Sequence, residues 1–247
     1  MDKDLLARID ANKAELAQYR PLEEPFLAQL RAYYRVGLTW TSNALEGNSL
    51  TETETKVVLE DGLTVGGRPL RDLYEAVGHG LAYDYMFSLI HRNTITLEDI
   101  RKLHQLFYRE IDSASAGQWR TQRIIVTGTE FVFPSPASID SHMQDLERWI
   151  IGSRASLHPV EFAALLHLKL VTIHPFIDGN GRTARLLVNL ALLQSGYTLA
   201  VVPPLLRVEY LEAIRRYQNK GDANPFCDFI GERVLETQKD LLRMLRE

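Results

Sequence analysis

"IHPFIDGNGRTARLL", residues 173–187, sets a dense run of polar chemistry at the mouth of an apolar helix. Beyond it lie Leu186, Leu187, Val188, Leu190, Ala191, Leu192 and Leu193, which leave almost no polar face. A helix that is apolar all round belongs in the middle of a domain. Its N-terminus then opens from the core, with unpaired N–H groups and partial positive charge. Gly179 and Gly181 let the chain turn sharply there and come close to a ligand. A glycine-rich turn feeding a helix N-terminus is an anion site, most often for phosphate. Arg182 and Arg185 lie on one side of the first turns, and guanidinium groups suit phosphoryl oxygens. Asp178 offers two oxygens to Mg²⁺, and His174 can take a proton near neutral pH. One segment therefore supplies a base, a metal ligand, an anion cradle and two cationic clamps, the parts of a phosphoryl-transfer site.

Working outward, helical patterning dominates. Amphipathic helices are expected at 4–18 and 22–45, with Gly47 as a stop, and at 52–61, where Thr51 and Glu54 form a capping box. Further helices are expected at 69–91, from Thr96 through Phe107, and at 138–152, 159–172, 182–195, 207–219 and 225–246. "RIIVTGTEFVFPSP" (123–136) breaks the pattern with β-branched and aromatic residues around Thr127-Gly128, which predicts a β-hairpin. The expected fold is all-α, a helical bundle around a buried central helix with one hairpin flap. Two parts are expected: an N-terminal helical extension over 1–35 and the main domain over 36–247.

The 247 residues carry a net charge of -4, so no broad basic field points to nucleic acid. Cys227 is the single cysteine, which excludes an internal disulfide and makes a reducing cytoplasm the expected compartment. The start "MDKDLLARIDANKAEL" lacks an apolar signal core, and no stretch is long enough to cross a membrane. The run Asp178-Gly-Asn180-Gly-Arg182 imitates an EF-hand loop, but Thr183 and Asn189 stand where glycine and glutamate are needed. No Walker A sequence is present, and His79, His91, His104, His142, His158 and His167 show no zinc spacing, so they read as structural.

The full string "HPFIDGNGRTAR" satisfies H-x-F-x-[DE]-G-N-G-R-x-x-R. A chance match to its specified positions is on the order of 10⁻¹⁰ per starting position at average residue usage. The chain resembles the Fic family over roughly residues 40 to 235. "HPVEFAALLHLKLVTIHPF" also resembles the family's helix leading into the motif. The resemblance implies a protein adenylyltransferase, which moves AMP from ATP to a Ser, Thr or Tyr hydroxyl of a target protein. His174 would be the base and Phe176 a buried anchor. Asp178 would hold Mg²⁺, with Mn²⁺ as the alternative. Gly179, Asn180 and Gly181 would line the anion hole, Arg182 would hold the leaving pyrophosphate side, and Arg185 would reach the γ-phosphate. A Doc-like kinase is disfavoured, because Gly181 and Arg182 keep the transferase pattern. Tyr210 and Asn219, the latter in "NKGD", would contribute to the adenine site.

The resemblance extends to two further elements. Residues Ile124, Ile125, Val126 and Thr127 would be the flap strand that docks an extended segment of the target by β-augmentation. "TSNALEGNSL" (41–50) places Ser42 and Glu46-Gly47 in the family's inhibitory pattern [ST]-x-x-x-E-[GN], on a helix over about 26–47. Glu46 would pair with Arg185 and deny it to the γ-phosphate. The alternatives are removal of AMP at the same site, another nucleotide donor, or a nucleotide-sensing interaction module. Self-modification and a homodimer are further options for partners.

Overall fold

α8 (Asn180–Gln194) runs through the centre of the molecule, and every residue from Arg182 to Leu192 on it is buried. The coordinates are a computed structural model that describes residues 1–246. The one polar side chain deep in this helix, Asn189, is matched to the backbone of the strap that follows. Its Oδ1 accepts from the Ala200 N–H at 2.7 Å, so its burial leaves no orphan there.

α7 (Pro159–Ile173) packs most extensively on α8, and α4 (Leu70–Ser88) and α5 (Leu97–Tyr108) close another side. α6 (Ile139–Ser153) packs on α7. α2 (Glu24–Ala44) lies across α4 and reaches α8, and α9 (Arg207–Lys220) and α10 (Asn224–Arg246) complete the shell. α1 (Lys3–Ala17), expected as part of an extension, packs on α10, and its Ile9 is fully buried in the common core. Gln238 Nε2 donates to the Ile9 carbonyl at 3.0 Å, so α1 is tied to the domain by a buried hydrogen bond as well as by apolar packing.

Local signals act where the residues predict. Thr51 and Glu54 form a reciprocal capping box that opens the short α3 (Glu52–Lys56). The chain then widens into a π-helical turn over Val57–Asp61 and stops at Gly62 in the left-handed region. α2 ends at Ala44, and Leu45 to Gly47 form a turn in which Gly47 has φ 96°. Glu46 therefore stands on a turn at the end of α2, where only the backbone and its neighbours limit its reach.

The expected β-hairpin is not formed. Among the described residues there is no strand, and 123–135 is an extended excursion folded over at Thr127-Gly128, with Gly128 at φ 83°. No backbone hydrogen bond joins its two arms. The β-rich composition has no sheet to join, because Ile125 is 98% exposed and Val132 87% exposed. A two-stranded ribbon without a packed face is at best marginal. What holds the excursion is a side chain at its root: Arg120 donates to the carbonyls of Gln122 at 2.9 Å and Pro134 at 2.6 Å.

Candidate active site

The loop from His174 to Gly179 bridges the end of α7 and the start of α8. It is built around Phe176, whose side chain is fully buried. The His104 ring stacks on it at 3.7 Å and 2°, and Trp119 lies 4.9 Å away. Asn180 Oδ1 accepts from the Phe176 N–H and its Nδ2 donates to the Phe176 carbonyl, both at 2.9 Å. The Asn180 side chain is thus spent on shaping the loop, which leaves its backbone N–H as the group that can face an anion. Gly179 needs its lack of a side chain twice: φ is 76°, and a Cβ would press on Phe107 at 2.9 Å.

His104 reads from sequence as structural, and the geometry gives it a defined task. The Gly117 N–H donates to its Nδ1 at 2.9 Å, so the ring proton sits on Nε2, which donates to the Asp178 carbonyl at 3.0 Å. Burial holds this ring down to about 4, against the opposing pull of its bond to Asp178. Nothing in the local sequence marks it, since it stands alone on α5.

His174 is the only non-glycine residue with positive φ among the described residues, at φ 53° and ψ 59°. Such a backbone costs energy and persists only where the surroundings enforce it. Arg120 is the enforcer: its Nε donates to the His174 carbonyl and its backbone N–H to the Pro175 carbonyl, each at 2.8 Å. Arg120 is itself buried, and one guanidinium thereby joins the His174–Gly179 loop to the root of the 123–135 excursion. His174 Nδ1 donates to the Val171 carbonyl at 3.2 Å, leaving the Nε2 lone pair free. Burial holds its pKa down to about 4, so the ring is neutral at pH 7.

Arg185 is 7% exposed and has partners on every side. Its Nε donates to Ser42 Oγ at 2.9 Å, and Nη2 donates to the Ser42 carbonyl at 2.8 Å and to Glu46 Oε1 at 2.7 Å. Nη1 donates to the Tyr210 hydroxyl at 3.1 Å, and that hydroxyl in turn donates to His167 Nε2 at 2.7 Å. Burial works to raise the Glu46 carboxyl, but the Arg185 and Arg182 charges outweigh it and keep it ionised. The same carboxylate lies directly over Gly181, where an added Cβ would collide with Oε1. Glu46 therefore does two things: it pairs with Arg185 and it stands at the N-terminus of α8, where an anion would sit.

Glu46, His174, Gly181 and Tyr210 share a cavity of about 200 Å³. Val126, Thr127 and Phe133 of the flap excursion form one wall, with Phe133 4.7 Å from the His174 ring. Arg207, Ile214 and Gln218 of α9 also line the cavity. Ile124 and Ile125 do not line it. Asn219 is exposed on the last turn of α9 and lies outside the cavity, with Gln218 in its place. Arg207 Nε donates to the Leu45 carbonyl at 2.8 Å, so α9 grips the turn that carries Glu46.

Arg182 faces another way. Its side chain is 3% exposed, lies over the Phe107 ring at 4.2 Å, and pairs with buried Glu75 of α4 at 2.9 Å. Asp178 is 41% exposed and does not line the His174 cavity. Among the described residues no group of three or more His, Cys, Asp or Glu could cage a metal. A single carboxylate beside an anion site fits Mg²⁺, which keeps water and takes phosphate oxygens rather than an all-protein cage.

The buried neutral rings predict how stability depends on pH. His104 and His174 are each depressed to about 4 and His79 to about 3, all chiefly by burial. Unfolded, they return to 6.5 and bind more protons, so stability is full above 6.5 and is lost as pH falls through about 4. Melting temperature should drop continuously between those values; a flat profile there would contradict the buried neutral assignment.

Residues 94–192 match the profile of the Fic/DOC family. The chain is 36% identical over 235 residues to Protein adenylyltransferase Fic of Drosophila willistoni, covering 94% of this chain and 46% of the fly protein. It is 38% identical over 207 residues to the Drosophila yakuba protein of that name, covering 83% and 41% respectively. The chain thus spans about half the length of these curated relatives. Fic-1 (aa134–508) of C. elegans superposes with a TM-score of 0.88 at 28% identity, over 99% of this chain and 72% of the nematode one. A Fic domain containing signaling protein of Bacteroides thetaiotaomicron gives 0.88 at 27% identity, over 97% and 98%.

Proposed function

This chain carries a domain of the Fic/DOC family, and from that premise we propose that it is a protein adenylyltransferase held off by Glu46. The observation that carries the reading is the single cavity shared by neutral His174, Gly181 at the N-terminus of α8 and Glu46, whose carboxylate pairs with buried Arg185 behind it. His174 Nε2 takes the proton of an incoming Ser, Thr or Tyr hydroxyl. The hydroxyl oxygen bonds to the α-phosphorus of ATP as the bond to the pyrophosphate oxygen breaks. The backbone N–H groups at Asn180 and Gly181 receive the phosphate charge, and Arg185 takes the γ-phosphate once Glu46 releases it. Asp178 would hold Mg²⁺, which supplies charge neutralisation to the phosphates.

The target enters along the flap. With no partner strand of its own, the backbone over 123–127 is free to pair with an extended segment, which ordered docking would convert into a strand. Main-chain pairing aligns almost any sequence, so acceptor choice rests on surfaces outside this cavity. The wall at Tyr210, whose hydroxyl holds Arg185, is the nucleotide side. The ionised Glu46 beside the cavity also suits it to position water for the reverse reaction, removal of AMP from a modified target.

The test uses Glu46→Gly with ATP labelled at either the α- or the γ-phosphorus, in the presence of a lysate. Label retained on protein from the α position alone is the expected result. Label from γ would replace adenylyl transfer with phosphoryl transfer, and label from neither would overturn both.

A further inference from the structure

The first turn of α4 contacts both ends of the site. Asn48 Nδ2, two residues beyond Glu46, donates to Glu75 Oε2 at 2.9 Å, and Ser49 binds Asp72 Oδ2 through its backbone N–H at 2.8 Å and its hydroxyl at 2.5 Å. On the same turn, Arg71 reaches across to the catalytic loop. Its Nη2 donates to Asp178 Oδ2 at 2.8 Å while its Nε stays on Glu75 Oε1 at 3.2 Å. Arg71 lies outside the family signature and no role for it follows from the motif.

The arrangement of charges makes this contact consequential. Asp178 Oδ1 is already taken by the Gly179 N–H, at 2.6 Å, and by Arg182 at 3.4 Å. Oδ2 is the oxygen left for a cation, and it is the one Arg71 covers. A divalent ion approaching Oδ2 meets a guanidinium within hydrogen-bond distance of the same atom, a like-charge encounter at an exposed site. Arg71 can leave at small cost, because Glu75 keeps its Nε as it swings away and its side chain is 55% exposed.

We propose that Arg71 is a latch on the metal-binding carboxylate: it excludes free divalent cations from Asp178 and yields when the cation arrives with nucleotide phosphates, which give the displaced guanidinium an anionic partner. This makes a second brake, on the metal side, that does not act through Arg185. The inference rests on the nucleotide reading above and goes beyond it in assigning a metal-gating role to a residue outside the signature.

The test reads binding, not turnover. Mn²⁺ is titrated into the unaltered protein, Arg71→Gln, Arg71→Lys and Arg71→Gln/Asp178→Asn, with free Mn²⁺ followed by its paramagnetic resonance, first without nucleotide and then with ADP. An exposed ion pair is worth little, so Arg71→Gln should tighten nucleotide-free Mn²⁺ binding by about two- to fivefold. Arg71→Lys should stay near the unaltered protein, and the gain should vanish with Asp178→Asn. With ADP present the difference between Arg71→Gln and the unaltered protein should shrink. Unchanged or weaker Mn²⁺ binding by Arg71→Gln, while ADP still binds, would overturn the latch and leave the transferase reading intact. Absence of ADP binding by the unaltered protein and by Glu46→Gly at every Mn²⁺ concentration would overturn both.

Discussion

Glu46→Gly is expected to raise AMP transfer by roughly 100-fold, the scale of rate change that follows a ~1 Å error at a reacting centre. Two separate obstructions disappear with this one carboxylate. Arg185 loses the partner at 2.7 Å that occupies its Nη2. The space over Gly181, where the carboxylate now stands, opens to a phosphate. Ser42 and Tyr210 remain to hold the guanidinium in place, at 2.9 Å and 3.1 Å, so the clamp is freed without being lost. Removing one partner of a buried charge is destabilising, and the 36% exposure of Glu46 moderates it. The variant should therefore melt lower than the unaltered protein and regain stability with ATP, whose γ-phosphate replaces the missing anion. Transfer is measured on a lysate and on the protein itself. No gain on any acceptor would remove Glu46 from the role of brake.

His174→Ala in the Glu46→Gly background should cut transfer by about 10²- to 10⁴-fold, the range of a lost general base. The ring is oriented by Nδ1 on the Val171 carbonyl, by the tilted Phe133 ring beside it and by a backbone that Arg120 locks. Alanine removes the imidazole, with its lone pair and its contacts to Val171 and Phe133, while Arg120 still holds the loop backbone; the phosphate-facing N–H groups stay in place, so ATP binding should be nearly unchanged. The pH profile separates a base from a structural ring. With its pKa held down to about 4, the free enzyme keeps His174 neutral, and kcat/KM for ATP in Glu46→Gly should be level from pH 6 to 8. A fall through an ordinary histidine range, or binding lost together with rate in His174→Ala, would count against the assignment.

Much of this site could be read along the chain because its parts are contiguous. His174, Phe176, Asp178, Gly179 and Arg185 fall within two turns of loop and helix, and adjacency alone brings them together. Asn180 could be placed but not read: its side chain folds back onto Phe176, a local bond that only the loop's conformation reveals. Arg120, His104, Glu75 and Arg71 carry no signal, since each is a solitary polar residue on an otherwise ordinary segment. The flap is the opposite case. Its β-branched residues do favour extended backbone, and the backbone is extended, but a ladder needs a packed face that the fold does not provide.

By itself the sequence determined the all-helical class, the buried central helix and the glycine-rich turn at its head, because periodicity and glycine placement act over a few residues. It also carried the Ser42 and Glu46-Gly47 pattern, as three loosely specified positions. That Glu46 meets Arg185, 139 residues away, was implied by the family resemblance and not by any local signal, and only the tertiary structure decided that the same carboxylate stands over Gly181. Such a contact depends on how α2, α4 and α8 pack, and on Arg207 and Asn48 gripping the turn between them. A charge pair across that span has no local energy to leave in the sequence; it exists once the core has brought the two helices together.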